Sequence, residues 1–201
     1  SLCTLADLYR ILERYDAAEP LYKRALAIRE TNIRSEPVEA AAAMNSLALL
    51  YDCRGRVAEA RSLYERSLAL LEKKLGPEHP DVATSLINLA FLNFTQGCCD
   101  AAEPLYRRAL SIREKSLGPD HPDAAALLND LAALYDSQER YDAAESCYSR
   151  ALAILENALG PDHPDVIANV ENLTALYRAT DREDEALELE GRASLTQAFA
   201  R

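Results

Sequence analysis

The stretch "LGPDHPD" at 117–123 returns letter for letter at 159–165, and 75–81 reads "LGPEHPD". The three histidines of the chain, His79, His121 and His163, all sit in these heptapeptides at intervals of 42 residues. Evenly spaced histidines flanked by aspartates suggest either a metal or acid–base centre, or a joint that recurs in a repeated fold. The spacing puts the repeat first, because self-similarity at a fixed period of this size is the signature of a stacked array.

The rest of the chain keeps the same period. "YDAAEPLYKRALAIRE" at 15–30 maps onto 57–72, "CDAAEPLYRRALSIRE" at 99–114 and "YDAAESCYSRALAILE" at 141–156, with a decayed copy at 183–198. A second block runs "TLADLY" (4–9), "SLALLY" (46–51), "NLAFLN" (88–93), "DLAALY" (130–135) and "NLTALY" (172–177). All ten tyrosines fall on three repeat positions, represented by Tyr9, Tyr15 and Tyr22.

Each unit reads as two helices. In the third copy Leu86, Leu89, Ala90 and Asn93 recur at helical spacing, "TQGC" turns the chain, and Ala102, Leu105, Tyr106, Ala109, Leu110 and Ile112 form the apolar stripe of a partner helix. The "DAAE" at 16–19, 100–103 and 142–145 has the spacing of a capping box, with the Asp as cap and the Glu reaching back. Small residues at Ala6, Ala48, Ala90 and Ala132, and at Ala18, Ala60, Ala102, Ala144 and Ala186, allow helices to approach closely. One pair is too small to bury its own apolar face, so pairs stack. The expectation is an all-α solenoid of about five helix-turn-helix repeats (about 1–40, 41–82, 83–124, 125–166 and 167–201), about ten helices, forming one domain over 1–201. No Gly/Ser/Pro-rich linker interrupts it, and the missing initiator Met points to a piece excised from a longer protein.

Composition narrows the function classes. With 49% hydrophobic and 27% charged residues the 201-residue chain is globular, and no window approaches the roughly 18 apolar residues of a membrane helix. A net charge of −11 repels nucleic acid and anionic membranes, and no basic cluster offsets it. Five cysteines in a chain able to build its own core fit a reducing compartment, with the cytoplasm as the default. The vicinal Cys98 and Cys99 read as a packing substitution in a turn rather than a redox pair, since adjacent cysteines rarely close a disulfide without strain.

The heptapeptide is then read as punctuation. Gly ends one helix, Pro77, Pro119 and Pro161 prevent its continuation, Pro80, Pro122 and Pro164 open the next, and Asp81, Asp123 and Asp165 face the positive end of its dipole. The histidine packs on the loop or helps cap the new helix. Equivalent residues of successive repeats lie at least one helix-packing step of about 8–10 Å apart, too far to share one zinc. No Walker, G-x-G-x-x-G or G-x-S-x-G motif is present. No catalytic residue, metal or cofactor is expected.

The pattern of small and large residues across paired helices resembles the tetratricopeptide repeat, and "AEPLYRRALSIREKSLGPDHPD" resembles the 42-residue units of kinesin light chains and related bacterial and signalling proteins. The resemblance spans essentially the whole chain. It implies a right-handed α-solenoid that binds a peptide or partner segment in a groove lined by the first helix of each pair. By register the groove positions are Asn45, Leu49, Asp52, Ile87, Asn88, Phe91, Phe94, Asn129, Asp130, Asp136, Asn172 and Arg178, with Cys3, Asp7 and Arg10 at the start and Glu171 and Ala175 near the end. The third repeat is distinct: Ile87, Phe91 and Phe94 make a second apolar stripe, either an anchor for a partner or a surface covered by a neighbouring helix. The asparagines suit a peptide backbone, and Asp52, Asp130 and Asp136 favour a neutral or basic ligand. In this the chain departs from kinesin light chains, whose grooves use basic residues for acidic peptides. No seven-residue repeat is present, so the motor role does not carry over. Glu190 and Ser194 replace core residues, as in a polar terminal cap. The alternative reading is a self-associating or autoinhibitory segment of a larger signalling protein.

Overall fold

The computed structural model describes residues 2–33 and 35–199, with side chains described through residue 191, so that Ser194 lies outside the described side chains. The chain divides into two compact units, Ser1–Ile112 and Arg113–Arg201. In the first lie α1 (Leu2–Ile11), α2 (Tyr15–Thr31), α3 (Pro37–Cys53), α4 (Val57–Leu75), α5 (Pro80–Thr95) and most of α6 (Cys99–Leu117); in the second lie α7 (Pro122–Ser137), α8 (Tyr141–Leu159), α9 (Pro164–Ala179) and α10 (Glu183–Phe199). Among the described residues there are ten helices and no strand, and no helix is long and apolar enough to cross a membrane.

Within the first unit α1 pairs with α2 and α3 with α4, and α2 and α4 each pack on the first helix of the following pair. Ala6, Ala18, Ala48 and Ala60 are wholly buried where helices approach, and Tyr22, Met44, Leu50 and Leu92 fill the space between them. In the second unit α7 pairs with α8, α9 with α10, and α8 covers α9. Ala132, Ala144, Ala151 and Ala186 are the close-contact positions there, with Leu134, Leu155 and Tyr148 as filler. Alternating small and large residues let the ridges of one helix enter the grooves of the next.

The joints are built as the heptapeptide suggests, with two refinements. Pro80, Pro122 and Pro164 are the first residues of α5, α7 and α9, where the missing N–H has no helical partner to lose. The residue before each is the histidine, and its imidazole is the cap: Nδ1 accepts the backbone N–H of Asp81 at 3.2 Å, of Asp123 at 3.1 Å and of Asp165 at 3.2 Å. An Nδ1 that accepts must be unprotonated, so the neutral ring with its proton on Nε2 holds each helix start. The glycines that end α4 and α8 have φ 93° and 84° but extended ψ of 156° and 160°, a region open essentially to glycine alone rather than the left-handed helical one.

The turn inside each pair is also uniform. Glu13 N–H bonds Arg10 O and Arg14 N–H bonds Tyr9 O, the two bonds of a Schellman motif, and the pattern recurs at Gly55/Arg56, Gly97/Cys98, Glu139/Arg140 and Asp181/Arg182. The motif requires positive φ, found at Gly55 and Gly97 but also at the non-glycine Glu13, Glu139 and Asp181. The following arginine is the residue before the second helix, and this overturns the capping box: α2, α4 and α8 start after Arg14, Arg56 and Arg140 with no side-chain cap. Asp16 and Asp142 lie inside the first turn, where they face the dipole instead.

Replacing the imidazole of His121 with a methyl group leaves the Asp123 N–H without its acceptor. His121→Ala is expected to cost about 0.5–2 kcal/mol of unfolding free energy, and His121→Asn, a good cap, much less. Glu139→Gly removes the strain of a side chain at positive φ and is expected to stabilise by up to about 1 kcal/mol. Urea midpoints of the three variants at constant m-value check both statements.

Candidate functional site

In the first unit the odd-numbered helices α1, α3 and α5 lie side by side and present the candidate residues. On α1, Asp7 accepts the hydroxyl of the buried Tyr22 at 2.5 Å. Burial, with Asp7 alongside, pushes the Tyr22 phenol up, so it remains a hydrogen-bond donor at any ordinary pH. On α3, Asn45 Nδ2 donates to Ser85 Oγ of α5 at 3.4 Å; Ser85 Oγ meets Ser67 Oγ at 2.9 Å, and Ser67 Oγ reaches Ala41 O at 3.3 Å. Asn45 is therefore a structural tie between helices. Leu49 and Asp52 are half-buried, and burial pushes the Asp52 carboxyl up.

On α5, Ile87, Asn88 and Phe94 are half-buried and Phe91 is 47% exposed. The other stripe of this helix, Leu86, Leu89 and Ala90, faces the core. Phe91 thus presents an aromatic ring to solvent at a register held elsewhere by Asp7, Leu49, Ala133 and Ala175.

In the second unit, Asn129 Oδ1 accepts the Nδ2 of the buried Asn169, a tie from α7 to α9 that parallels Asn45 and Ser85. Asp130 is half-buried, and loss of hydration pushes its carboxyl up to about 6. The Tyr148 phenol is raised to about 12 by burial and, less, by the negative charges of Asp136 and Asp130. A cavity of about 390 Å³ opens beside Asn129, lined by Pro122, Asp123, Ala126, Leu155, Asp165 and Ala168, and two of its walls are thus carboxylates. Asn172 is exposed, whereas Arg178 is tied down: its guanidinium pairs with Glu183 at 3.3 Å and Glu190 at 3.1 Å. Glu190 stands where the other repeats have tyrosine, and Arg178 is its answer.

The turn inside each pair, together with the helices that flank it, carries residues that the register argument missed. Arg56 lies over the Tyr51 ring at 3.9 Å, and both meet Glu19 of the preceding repeat: Arg56 Nη1 at 3.0 Å and Tyr51 Oη at 3.4 Å. The second unit repeats this clasp with Arg182 stacked on Tyr177 at 4.4 Å and both bonded to Glu145. In the third repeat all three members change together: Cys98 replaces the arginine, Asn93 the tyrosine and Arg61 the glutamate, and Arg61 Nη1 donates to Asn93 Oδ1 at 2.5 Å. The visible signal was the final Asn of "NLAFLN" where the other blocks end in Tyr. All five cysteines are thiols, and among the described residues no group of three or more His, Cys, Asp or Glu is placed to hold a metal ion.

Family models for the tetratricopeptide repeat match residues 39–97, 81–157 and 137–194, and a second such model matches residues 1–32. The chain belongs to the tetratricopeptide repeat family. Members of this family generally act as protein–protein interaction scaffolds. The crystal structure of BtubC (BKLC) from P. vanneervenii superposes at TM-score 0.87 with 30% identity, covering 99% of this chain and 79% of that one. A Podosopora anserina kinesin light chain-like protein with nearly identical TPR-like repeats gives TM-score 0.83 at 28% identity, over 100% of this chain and 95% of that one. MamA, at 18% identity and TM-score 0.64 over 98% of this chain and 90% of that one, shares the fold. No curated protein matches the chain.

Asp130 offers a direct test of the acidic face. A carboxyl whose folded pKa lies above its unfolded value stabilises the fold only while protonated, so this contribution is complete below about pH 4 and lost as pH rises through about 6. Asp130→Asn is expected to stabilise the protein at pH 7.5 by about 1–2 kcal/mol after allowance for solvent screening, and to leave stability at pH 4 nearly unchanged. Denaturation of both proteins across this range checks the sign.

Proposed function

We propose that this tetratricopeptide repeat chain is a non-catalytic scaffold that holds an extended peptide or partner segment on the face of its odd-numbered helices. The carrying observation is Phe91, 47% exposed between the half-buried Ile87 and Phe94. An aromatic ring held on a rigid helix, flanked by two further apolar side chains, is the usual form of an interface anchor. Asn88 stands beside it with a donor and an acceptor for a peptide backbone.

Charge supports a neutral or basic ligand. In the first unit Asp52 is held with its carboxyl raised by burial, a state that a cationic partner relieves. In the second unit Asp130, Asp136, Asp123 and Asp165 make the corresponding surface acidic, and Arg178 is neutralised by Glu183 and Glu190. A net charge of −11 adds long-range attraction for cations. The repeat fold shared with the kinesin light chain-like structure supports the scaffold reading.

Selection of peptides from a random display library on the purified chain tests the proposal. Enriched sequences are expected to carry one large apolar residue with neutral or basic flanks, and to lose about tenfold or more in affinity for the Phe91→Ala/Phe94→Ala variant. Equal affinity for a variant whose helical circular dichroism matches the parent removes Phe91 as the anchor, and acidic consensus sequences contradict the charge argument.

A further inference from the structure

We propose that the cavity beside Asn129, between the N-terminal ends of α7 and α9, is a recognition site for one arginine side chain of the bound peptide. This rests on the scaffold reading above and gives the second unit a contact of its own, one that does not involve Phe91.

At about 390 Å³ the cavity stands at the low end of the range that small ligands fill, which suits a single side chain. Three helices supply its walls. Pro122, Asp123, Ala126 and Asn129 come from α7, Asp165 and Ala168 from α9, and the buried Leu155 from α8. Ala126 and Ala168 are exposed, so the cavity opens to solvent past side chains that stop at a methyl group. The equivalent positions of α3 and α5 hold Glu39 and Thr84 where α7 and α9 hold Asp123 and Ala168. The shorter residues belong to this pair of helices and are not dictated by the repeat.

The polar groups at the cavity lack partners within the chain. Asn129 accepts the Asn169 amide through Oδ1, and its own Nδ2 makes no bond among the described residues. Asn169 is wholly buried and leaves its own Oδ1 without a partner, so its amide serves only to hold Asn129. Asp123 and Asp165 each approach the His Nδ1 of their own joint at 3.6 Å, but that nitrogen is an acceptor already engaged by a backbone N–H. Among the described residues no arginine or lysine pairs with either carboxylate. By contrast, Arg150, Arg178 and Arg182 of the same unit are all paired with glutamates.

Charge complementarity selects the occupant. The positive ends of α7 and α9 would favour an anion, but Asp123 and Asp165 already offset them and would repel one. A cation has two carboxylates to meet. They come from separate helices, which suits the planar fork of a guanidinium better than the compact, strongly hydrated charge of an ammonium. The methylene stem of an arginine lies on Ala126, Ala168 and Leu155, and a carbonyl of the same peptide accepts from Asn129 Nδ2.

The probe is the capped tripeptide acetyl-Gly-Arg-Gly-amide, titrated into the intact, isotopically labelled chain. Nuclear magnetic resonance follows the backbone amides of Ala126 and Ala168 and the side-chain amide of Asn129. Saturable shifts at millimolar peptide are expected at all three. The citrulline tripeptide, which keeps the shape and loses the charge, is expected to bind about tenfold more weakly, and the lysine tripeptide severalfold more weakly. Asp165→Asn and Ala168→Leu, both at exposed positions, are each expected to weaken the arginine tripeptide about tenfold. Thermal melts confirm that both variants fold. Ala168→Leu fills the cavity and leaves every charge in place, so binding indifferent to it overturns the proposal in favour of a general acidic surface. Absence of shifts, or equal affinity for the citrulline or lysine tripeptide, also overturns it. The tripeptide carries no apolar anchor, so Phe91→Ala/Phe94→Ala is expected to leave its binding unchanged. Library peptides that need Phe91, with no tripeptide binding, keep the scaffold reading and remove the arginine site; the opposite result removes the Phe91 anchor and keeps the site.

Discussion

The interaction on which the rest depends is an arginine laid on a tyrosine. The Schellman turn between the two helices of a repeat places its last residue over the one five positions earlier, and four of the five turns put arginine over tyrosine there. The stack is local, set by one turn of chain. Its edge, however, carries the Tyr hydroxyl and the guanidinium donors to one point, where Glu19 or Glu145 of the preceding repeat is received. A turn geometry is thereby converted into the register between repeats. A second tie runs alongside it: Arg108 joins Glu72 and Pro77 O in the first unit, and Arg150 joins Glu114 and Pro119 O in the second.

Departures from this pattern are informative where a partner changes with them. In the third repeat the arginine, tyrosine and glutamate become Cys98, Asn93 and Arg61 and remain bonded, now by a single Arg–Asn contact. The same repeat places Phe91 in solvent. In the fifth, Glu190 displaces the core tyrosine and draws in Arg178. Thr174 and Asn169 put polar groups where the other repeats have alanine, serine or leucine, and Asn169 uses its amide to hold Asn129. Core positions that hydrogen-bond across helices fix one packing among several of similar hydrophobic content.

Much of this was legible in the residues. The period, the ten helices and the role of the prolines in the heptapeptides follow from spacing and from the chemistry of a residue without an N–H. The histidines were correctly placed at joints, but only the tertiary structure distinguishes loop packing from capping, since both satisfy the same letters; Nδ1 on the N–H of the second helical residue settles it. The "DAAE" capping box was misread for a physical reason. The turn needs the residue before the helix for its own second hydrogen bond and fills it with arginine, which displaces the aspartate into the first turn and frees the glutamate for the neighbouring repeat.

The candidate site divides the same way. Sequence alone determined which residues share a register, because a strict repeat gives every position its equivalents, and it singled out Ile87, Phe91 and Phe94 as the break in an otherwise polar set. Tertiary structure decided which of them meet solvent and which are spent on the fold. Phe91 is open, Asn45 and Asn129 are shared with the interior, and Arg178 is neutralised. Periodicity assigns a residue to a face, but burial depends on whether another helix arrives to cover it.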